Sequence, residues 1–296
     1  MSASLHFMPG HEPAATRLAA ELAIPVQPVT VHRFPDGESL VRVAPSGDTA
    51  LLYCPLDHPD DRLVQVLLAA SALRDRGAER VVLIAPYLGY MRQDIAFSPG
   101  EAVSQRVIGG LIAQGFDGLV TVDPHLHRTA CLGDVVPGIA ALNVSAAPTI
   151  SAAIAAGMTP DTILVGPDAE SRPWVEAVAA QLGLETVIAE KRRLGDRQVE
   201  IVLPDPAWLA ARPVLLVDDL ISSGGTLIEC ARVLAACGAR LRGAFATHCL
   251  ASADDLAALA RSGVGPLAAT DSVPGPAATI PIAPALAAAI RTAGMA

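Results

Sequence analysis

The chain lacks an excess of basic charge: 21 lysines and arginines face 30 aspartates and glutamates, a net charge of -9. Binding along a phosphate backbone draws on cationic surface, so nucleic acid is not an expected partner. Cysteine is scarce as well. The five residues Cys54, Cys131, Cys230, Cys237 and Cys249 form no C-x-x-C pair. Most sit among apolar neighbours, which fits reduced, buried thiols in a cytosolic protein better than a disulfide framework. No apolar run reaches the roughly 18 residues of a membrane span. The opening MSASLHFMPGHEP has no basic start followed by an apolar stretch. A cytoplasmic location with no membrane contact is therefore expected. Also missing is the G-x-x-x-x-G-K-[ST] phosphate loop with its lysine.

What is present is a regular alternation. Short apolar, β-branched runs alternate with alanine- and leucine-rich segments of helical period, the pattern of an α/β protein built on mostly parallel sheets flanked by helices. Strands are expected at TALLYCPL, ERVVLIAP, DGLVTVDP, DTILVGPD, ETVIAEKR, RPVLLVDD and RLRGAFATHC. Helices are expected at DRLVQVLLAASALRDRG, SQRVIGGLIAQG, PWVEAVAAQLG and GTLIECARVLAACG, each ending at a glycine able to take the left-handed cap. The stretch from Asn143 to Asp161 reads as helix-prone without strand character. At 296 residues two domains are expected, 1–146 and 147–296, with the last helix packing back on the first. The halves look alike in outline, and ERVVLIAPYLGYMRQD reads as the counterpart of RPVLLVDDLISSGGT.

In LLVDDLISSGGT, residues 214–217 read as a central strand and Thr226 onward as a helix. Ser222, Ser223, Gly224, Gly225 and Thr226 then form a turn whose hydroxyls and free helix amides suit an anion. Asp218 and Asp219 would repel a phosphate, but they accept well from vicinal sugar hydroxyls. A phosphorylated sugar reconciles the two, and an N-capped turn with solvated aspartates is the plainer alternative.

RFPDGES reads as a tight turn that sets Phe34, Asp36 and Glu38 at alternate positions of an extended segment, an aromatic face with two acceptors that suits a purine and its amine. A polar hairpin turn would look the same. In YMRQD, the planar fork of Arg92 suits a polyphosphate with Gln93 and Asp94 as orienting partners, and an ordinary surface ion pair is the alternative. VDPHLH puts Asp123, His125 and His127 on one side of an extended strand end. A closed structural zinc site is not expected, for want of further ligands at suitable spacing. EKRR concentrates Lys191, Arg192 and Arg193 in an acidic chain, either as a solvated charge run or as cations that stabilise a phosphoryl-transfer transition state.

VDDLISSGGT resembles the phosphoribosyl-pyrophosphate loop shared by type I phosphoribosyltransferases and ribose-phosphate pyrophosphokinases. RFPDGESLVRV, PYLGYMRQD, VDPHLH, GPD, EKRRLGD and TDSVP, in that order along almost the whole chain, resemble the signature segments of the second family. That resemblance implies two phosphoribosyltransferase-like domains and transfer of the β,γ-pyrophosphoryl group of ATP to ribose 5-phosphate. It implies Lys191 and Arg193 as catalytic residues on a mobile loop, with Arg192 at the surface. Phe34, Asp36, Glu38, Arg92, Gln93 and Asp94 would bind ATP. Mg2+ would be held at His125 and Asp168, with His127 structural. Adenine contacts from a neighbouring subunit would require a homo-oligomer of at least two chains. A non-catalytic regulatory homologue and a nucleobase phosphoribosyltransferase remain as alternatives.

Two departures carry expectations of their own. IAFSPGEAVSQR has only Arg106 as a base where the common form of the family carries a basic effector segment, so the chain resembles variants without phosphate and ADP regulation. Glu170 stands where a glycine is expected after the metal aspartate.

Overall fold

The computed structural model describes residues 2–126, 128–193 and 199–296, and the side chains of residues 192, 193, 199 and 200 lie outside that description. The chain divides into two compact units, Met1–Ser145 with Ile282–Ala296, and Ala146–Pro281.

The first unit runs β1 (Ala3–Phe7), α1 (Glu12–Leu22), β2 (Val26–Pro28), β3 (Thr30–Arg33), β4 (Ser39–Arg42), β5 (Thr49–Tyr53), α2 (Pro59–Asp75), β6 (Arg80–Ile84), α3 (Ser104–Gly115), β7 (Gly118–Val122), α4 (Leu132–Val135) and β8 (Ala140–Val144). The second runs α5 (Ala147–Ala155), β9 (Ile163–Gly166), α6 (Arg172–Leu182), β10 (Glu185–Ile188), β11 (Glu190–Arg193), β12 (Val199–Val202), α7 (Pro206–Leu209), β13 (Pro213–Ile221), α8 (Gly225–Ala236), β14 (Arg240–Cys249), α9 (Ala253–Arg261), β15 (Leu267–Thr270) and β16 (Ala278–Ile280). The last helix, α10 (Ala283–Thr292), belongs to the first unit, where Arg80 Nη1 donates to the carbonyl of Gly294 and Arg291 to that of Glu21.

Each unit holds a six-stranded, all-parallel sheet, in the orders β2-β1-β5-β6-β7-β8 and β10-β9-β13-β14-β15-β16. Counted by position within its unit, each order is 2-1-3-4-5-6. Each unit also carries a two-stranded antiparallel ribbon between its second and third sheet strands, β3–β4 in the first and β11–β12 in the second. Central strands such as Thr49–Tyr53 and Ile163–Gly166 are buried along their whole length. That is why they read as continuous apolar runs: helices cover both faces of a parallel sheet.

Several expectations need correction. Gly115 does not cap α3 in the left-handed region, because the next residue, Phe116, is extended. A Cβ on Gly115 would lie 2.4 Å from Leu67, so this glycine lets α3 approach α2. Asn143 and Val144 close strand β8, so helical character begins only at Ala147. The topological counterpart of β13 is β5, not β6, which displaces the expected correspondence of loops by one strand. Of the cysteines, all free, Cys54, Cys230 and Cys249 are buried, Cys237 is half-buried and Cys131 is exposed.

Candidate active site

In open α/β sheets, ligands gather beyond the carboxyl ends of the two strands where the winding reverses. In the second unit those strands are β9 and β13. Gly166 ends β9 at a position where a Cβ would meet Ser171 Oγ at 2.4 Å. Two residues on, Asp168 caps a short 3-10 turn, its Oδ1 accepting from the amides of Glu170 at 3.0 Å and Ser171 at 3.3 Å. The buried Ser171 returns its hydroxyl to the Asp168 carbonyl at 2.7 Å. Glu170 itself is exposed.

β13 runs through Asp218 and Asp219 to Ile221, two residues beyond the expected RPVLLVDD. The Asp218 carboxyl is held well above the usual carboxylate range, first by burial and then by the negative charges of Asp219 and Asp168. Three carboxylates therefore share one electrostatic environment across the switch point, and a hydroxyl donor or a cation relieves it. Ser222 and Ser223 follow as exposed bends, and Gly224 takes φ 78 as the N-cap of α8 with no side-chain cap. A Cβ on Gly224 would meet the Leu259 side chain at 2.7 Å. The first amides of α8 thus lack a side-chain cap and follow the hydroxyl-bearing Ser222 and Ser223, an arrangement chemically suited to an anion.

The remaining segments lie in the first unit or on the second ribbon. Lys191 is exposed on β11, opposite Ile201 of β12. The expected loop is thus a strand on both sides of residues 194–198. Arg193 shares that strand through its backbone, and its side chain, like that of Arg192, falls outside the described residues.

Comparison with known proteins places the chain in a family. Residues 4–115 match the family model described as the N-terminal domain of ribose phosphate pyrophosphokinase, and residues 145–261 match the phosphoribosyl transferase domain. A ribose-phosphate pyrophosphokinase of Methanopyrus kandleri is 39% identical over 278 residues, covering 93% of this chain and 94% of that protein. The enzyme of the same name from Thermococcus kodakarensis is 35% identical over 259 residues, covering 87% and 90%. The chain belongs to the ribose-phosphate pyrophosphokinase family. The crystal structure of phosphoribosylpyrophosphate synthetase from Mycobacterium smegmatis superposes with a TM-score of 0.81 over 99% of both chains at 24% identity, which shows the shared fold.

For RFPDGES the structure gives a hairpin turn and not an extended face. Phe34 N donates to the Glu38 carbonyl at 2.8 Å, Gly37 has φ 93, and Asp36 Oδ1 accepts from the Glu38 amide at 3.1 Å. The chain reverses at residues 35–37, so alternation cannot put the three side chains on one face. Phe34 is 39% exposed and meets His32 edge-on, ring centroids 4.8 Å apart.

The RQD segment is fixed from two sides. Gln93 takes a hydrogen bond from Ser104 Oγ through its side chain and one from the Gln105 amide at 3.2 Å through its carbonyl. Asp94, with a side chain 3% exposed, pairs with Arg128 at 2.8 Å, and its second oxygen is buried without a hydrogen bond among the described residues. Arg92 is exposed, with no ion pair to it among the described residues. β7 ends at Val122, and Asp123 turns the chain with φ 34, so Asp123 and His125 are not alternate residues of a strand. His125 is half-buried just beyond that turn, and His127 falls outside the described residues.

Sequence reasoning missed Arg128 and Gln105. Gln105 is 6% exposed and joins the two loops, accepting from Thr129 Oγ1 at 2.8 Å and donating to the Met91 carbonyl. Partners separated by 34 and 24 residues leave no local pattern to read. The TDSVP segment proves structural in its immediate contacts: Ser272 Oγ lies 2.7 Å from His248 Nδ1, and Thr270 Oγ1 donates to the Thr247 carbonyl at 2.6 Å. The segment 95–103 folds on itself through Glu101, whose Oε2 accepts from the amides of Phe97 and Ser98 at 2.8 and 3.0 Å.

Proposed function

We propose that this protein is an active pyrophosphoryl transferase. It moves the β,γ-pyrophosphoryl group of ATP to the 1-hydroxyl of ribose 5-phosphate, giving phosphoribosyl pyrophosphate and AMP for nucleotide biosynthesis. The observation that carries this reading is the uncapped N-terminus of α8 beside the Asp168, Asp218 and Asp219 carboxylates. A 5-phosphate fits the amides and hydroxyls of residues 222–226, and the ring hydroxyls fit as donors to Asp218 and Asp219.

The sugar 1-hydroxyl attacks the β-phosphorus, the bond from that phosphorus to the oxygen bridging to the α-phosphate breaks, AMP departs with that oxygen, and the hydroxyl proton passes to water. No protein nucleophile is needed, so catalysis is positioning plus charge stabilisation. Lys191 and Arg193 take the charge-stabilising role. Arg92, Gln93 and Asp94 hold the triphosphate, and Phe34, Asp36 and Glu38 the adenine, within a homo-oligomer.

The carboxylates also fit Mg2+. Among the described residues no three acidic, histidine or cysteine groups converge to hold an ion by themselves. Magnesium suits such a site, since one or two carboxylates bind it together with substrate phosphates and water. Bound at Asp168, it would neutralise phosphate charge there, and His125 would serve separately as a ligand of the magnesium that accompanies ATP. Among the described residues no helix is long and apolar enough to cross a membrane, and with five free cysteines this agrees with a cytoplasmic setting.

Incubating the protein with ATP, ribose 5-phosphate and Mg2+ and measuring AMP tests the reading. AMP formed in step with phosphoribosyl pyrophosphate is expected. AMP that appears only from adenine and phosphoribosyl pyrophosphate would make the chain a nucleobase transferase, and no AMP from either pair would make it the non-catalytic homologue.

A further inference from the structure

At the opposite, amino-terminal end of the strands of the second sheet, a cavity of about 210 Å³ opens between the start of β9, the start of β13 and the start of β14. Its walls include Thr159, Thr162, Leu215, Arg240 and Arg242, with Asp161 on the rim. Pro213 and Ile221 bound β13, so the cavity lies about 26 Å from the sugar-phosphate cradle at 3.3 Å per residue.

The arginines are placed there by a specific irregularity. Val214 pairs with Leu241 and Leu215 with Gly243, which leaves Arg242 as the extra residue of a bulge in a parallel ladder. Bulges in parallel pairs are rare, and they re-aim side chains. This one depends on glycine: Gly243 has φ 156, and a Cβ there would lie 2.6 Å from the Pro266 carbonyl oxygen. The fold gives up a ladder position and in return two guanidinium groups, two residues apart, border one cavity.

Among the described residues neither guanidinium has a hydrogen bond or ion pair, whereas neighbouring Arg212 is engaged. It bonds Glu185 at 2.8 Å and the Asp161 carbonyl at 3.3 Å, and it stacks on Trp208 at 4.5 Å. Asp161 is the one acid on the rim. Its carboxyl lies below the ordinary range, chiefly through the Thr159 hydroxyl and more weakly through Arg240 and Arg212. The lining therefore keeps a net positive charge in a chain whose total is -9. Leu215, Pro213 and Met158 supply an apolar floor.

We infer that this cavity binds a phosphate group, Arg240 and Arg242 gripping its oxygens while the apolar floor receives the body of a small organic monophosphate. Two planar forks offer more donors than a carboxylate can accept and match the charge of a phosphate. The site is separate from the ribose 5-phosphate cradle and does not rest on the function proposed above.

Full-length protein labelled with ¹³C at the methionine methyls provides a local reporter, Met158. Titration with phenyl phosphate should shift its signal saturably, and inorganic phosphate should do so at concentrations several-fold higher. Arg240→Gln combined with Arg242→Gln should weaken the response at least tenfold while leaving kcat and the KM for ribose 5-phosphate within twofold of the parent, which also certifies the fold. Arg242→Lys, keeping the charge and losing the fork, should fall between. Equal affinity for the two probes supports the phosphate site and assigns it to inorganic phosphate. A Met158 signal that stays fixed, or one that shifts equally in the double variant, overturns the inference.

Discussion

The two units share one strand order and one ribbon insertion, yet they treat the loop after the third strand in opposite ways. In the second unit β13 leads into Ser222–Thr226, with Gly224 as N-cap and α8 opening on bare amides. In the first, β5 leads into Cys54–His58, and α2 opens with Pro59, Asp60 and Asp61. Proline removes an amide, and acids in the first turn satisfy the helix dipole that a phosphate would otherwise use. The loops after the first strands differ in the same sense. Asp168 caps its turn, whereas His11 N-caps α1 without a side-chain bond, its Nε2 buried and without a partner among the described residues. One architecture thus serves twice, and a handful of loop residues decides which copy leaves its helix amides open to an anion.

The ribbons offer the sharpest way to break this comparison. β11–β12 carries Lys191 and Arg193, and β3–β4 carries the Phe34–Glu38 turn. If the second ribbon serves the transferring group, Lys191→Ala and Arg193→Ala should each lower kcat by roughly 10²- to 10³-fold, about 3–4 kcal/mol, with little change in ATP affinity. Phe34→Ala should instead act mainly on the KM for ATP. Near-normal turnover in both cation variants, measured by steady-state AMP release, would remove the ribbon from catalysis.

Acid should separate the units next. Burial lowers His6 and His11, both in the first unit, to about 4 from 6.5. The unfolded chain then binds more protons than the folded one between those values, so each contributes stability that is complete above about 6.5 and lost as pH falls towards about 4. The most each can supply is about 3 kcal/mol. Asp218 has the reverse sign: its folded value lies above its unfolded one, so lowering the pH through that raised value relieves the second unit. Hydrogen exchange at pH 7.5 and pH 5, corrected for intrinsic rates, should show β1 and β5 losing protection while β13 keeps it. His11→Leu should remove about half of the loss, and an equal loss of protection in both sheets would contradict the assignment.

The cradle itself is a smaller test. Thr226→Val removes one hydroxyl beside a bound phosphate and should weaken ribose 5-phosphate binding about 10- to 100-fold, the worth of a hydrogen bond to a charged group. Pro59→Ala, at the equivalent helix start of the first unit, should leave that affinity within twofold. Calorimetry on both variants decides it, and comparable losses would mean that the two helix starts are not functionally distinct.

Much of this division was legible in the sequence. Strands β5, β6, β7, β9, β13 and β14 announced themselves because both faces of a parallel sheet are buried. β1 did not, since it buries Ser4 and His6 among its apolar residues. β2 and β16, with 3 residues each, leave too little pattern. The cradle glycines were readable because a required backbone conformation leaves a residue type behind. The carboxylates at the end of β13 looked like the end of the strand because the charges interrupt the apolar run, although the ladder continues to Ile221. The loops were paired one strand off because an apolar run breaking into a polar loop describes β5, β6 and β13 alike, and only hydrogen-bonded order distinguishes them. Contacts such as Asp94 with Arg128 join separate loops and have no sequence period at all.

The smallest effect expected concerns Glu170, which stands where the family's turn suggests glycine. The turn needs donors, not space: Asp168 Oδ1 accepts the amides of residues 170 and 171, and any residue type supplies an amide. The tight spot is Gly166, where a Cβ would crowd Ser171, and that glycine is retained. The Glu170 side chain is exposed, so solvent screens its charge from Asp168. Glu170→Gly should therefore change kcat and the Mg2+ concentration for half-maximal activity by no more than about twofold. It should cost at most about 1 kcal/mol of stability, through the extra freedom of glycine in the unfolded chain. Gly166→Ala, by contrast, should distort the Asp168 turn and weaken both metal and ribose 5-phosphate binding. Measuring the Mg2+ dependence of AMP release in the two variants compares the turn's geometry with its charge. A tenfold shift in Glu170→Gly would show that this carboxylate takes part at the metal, and that the second unit's switch point uses four acids, not three.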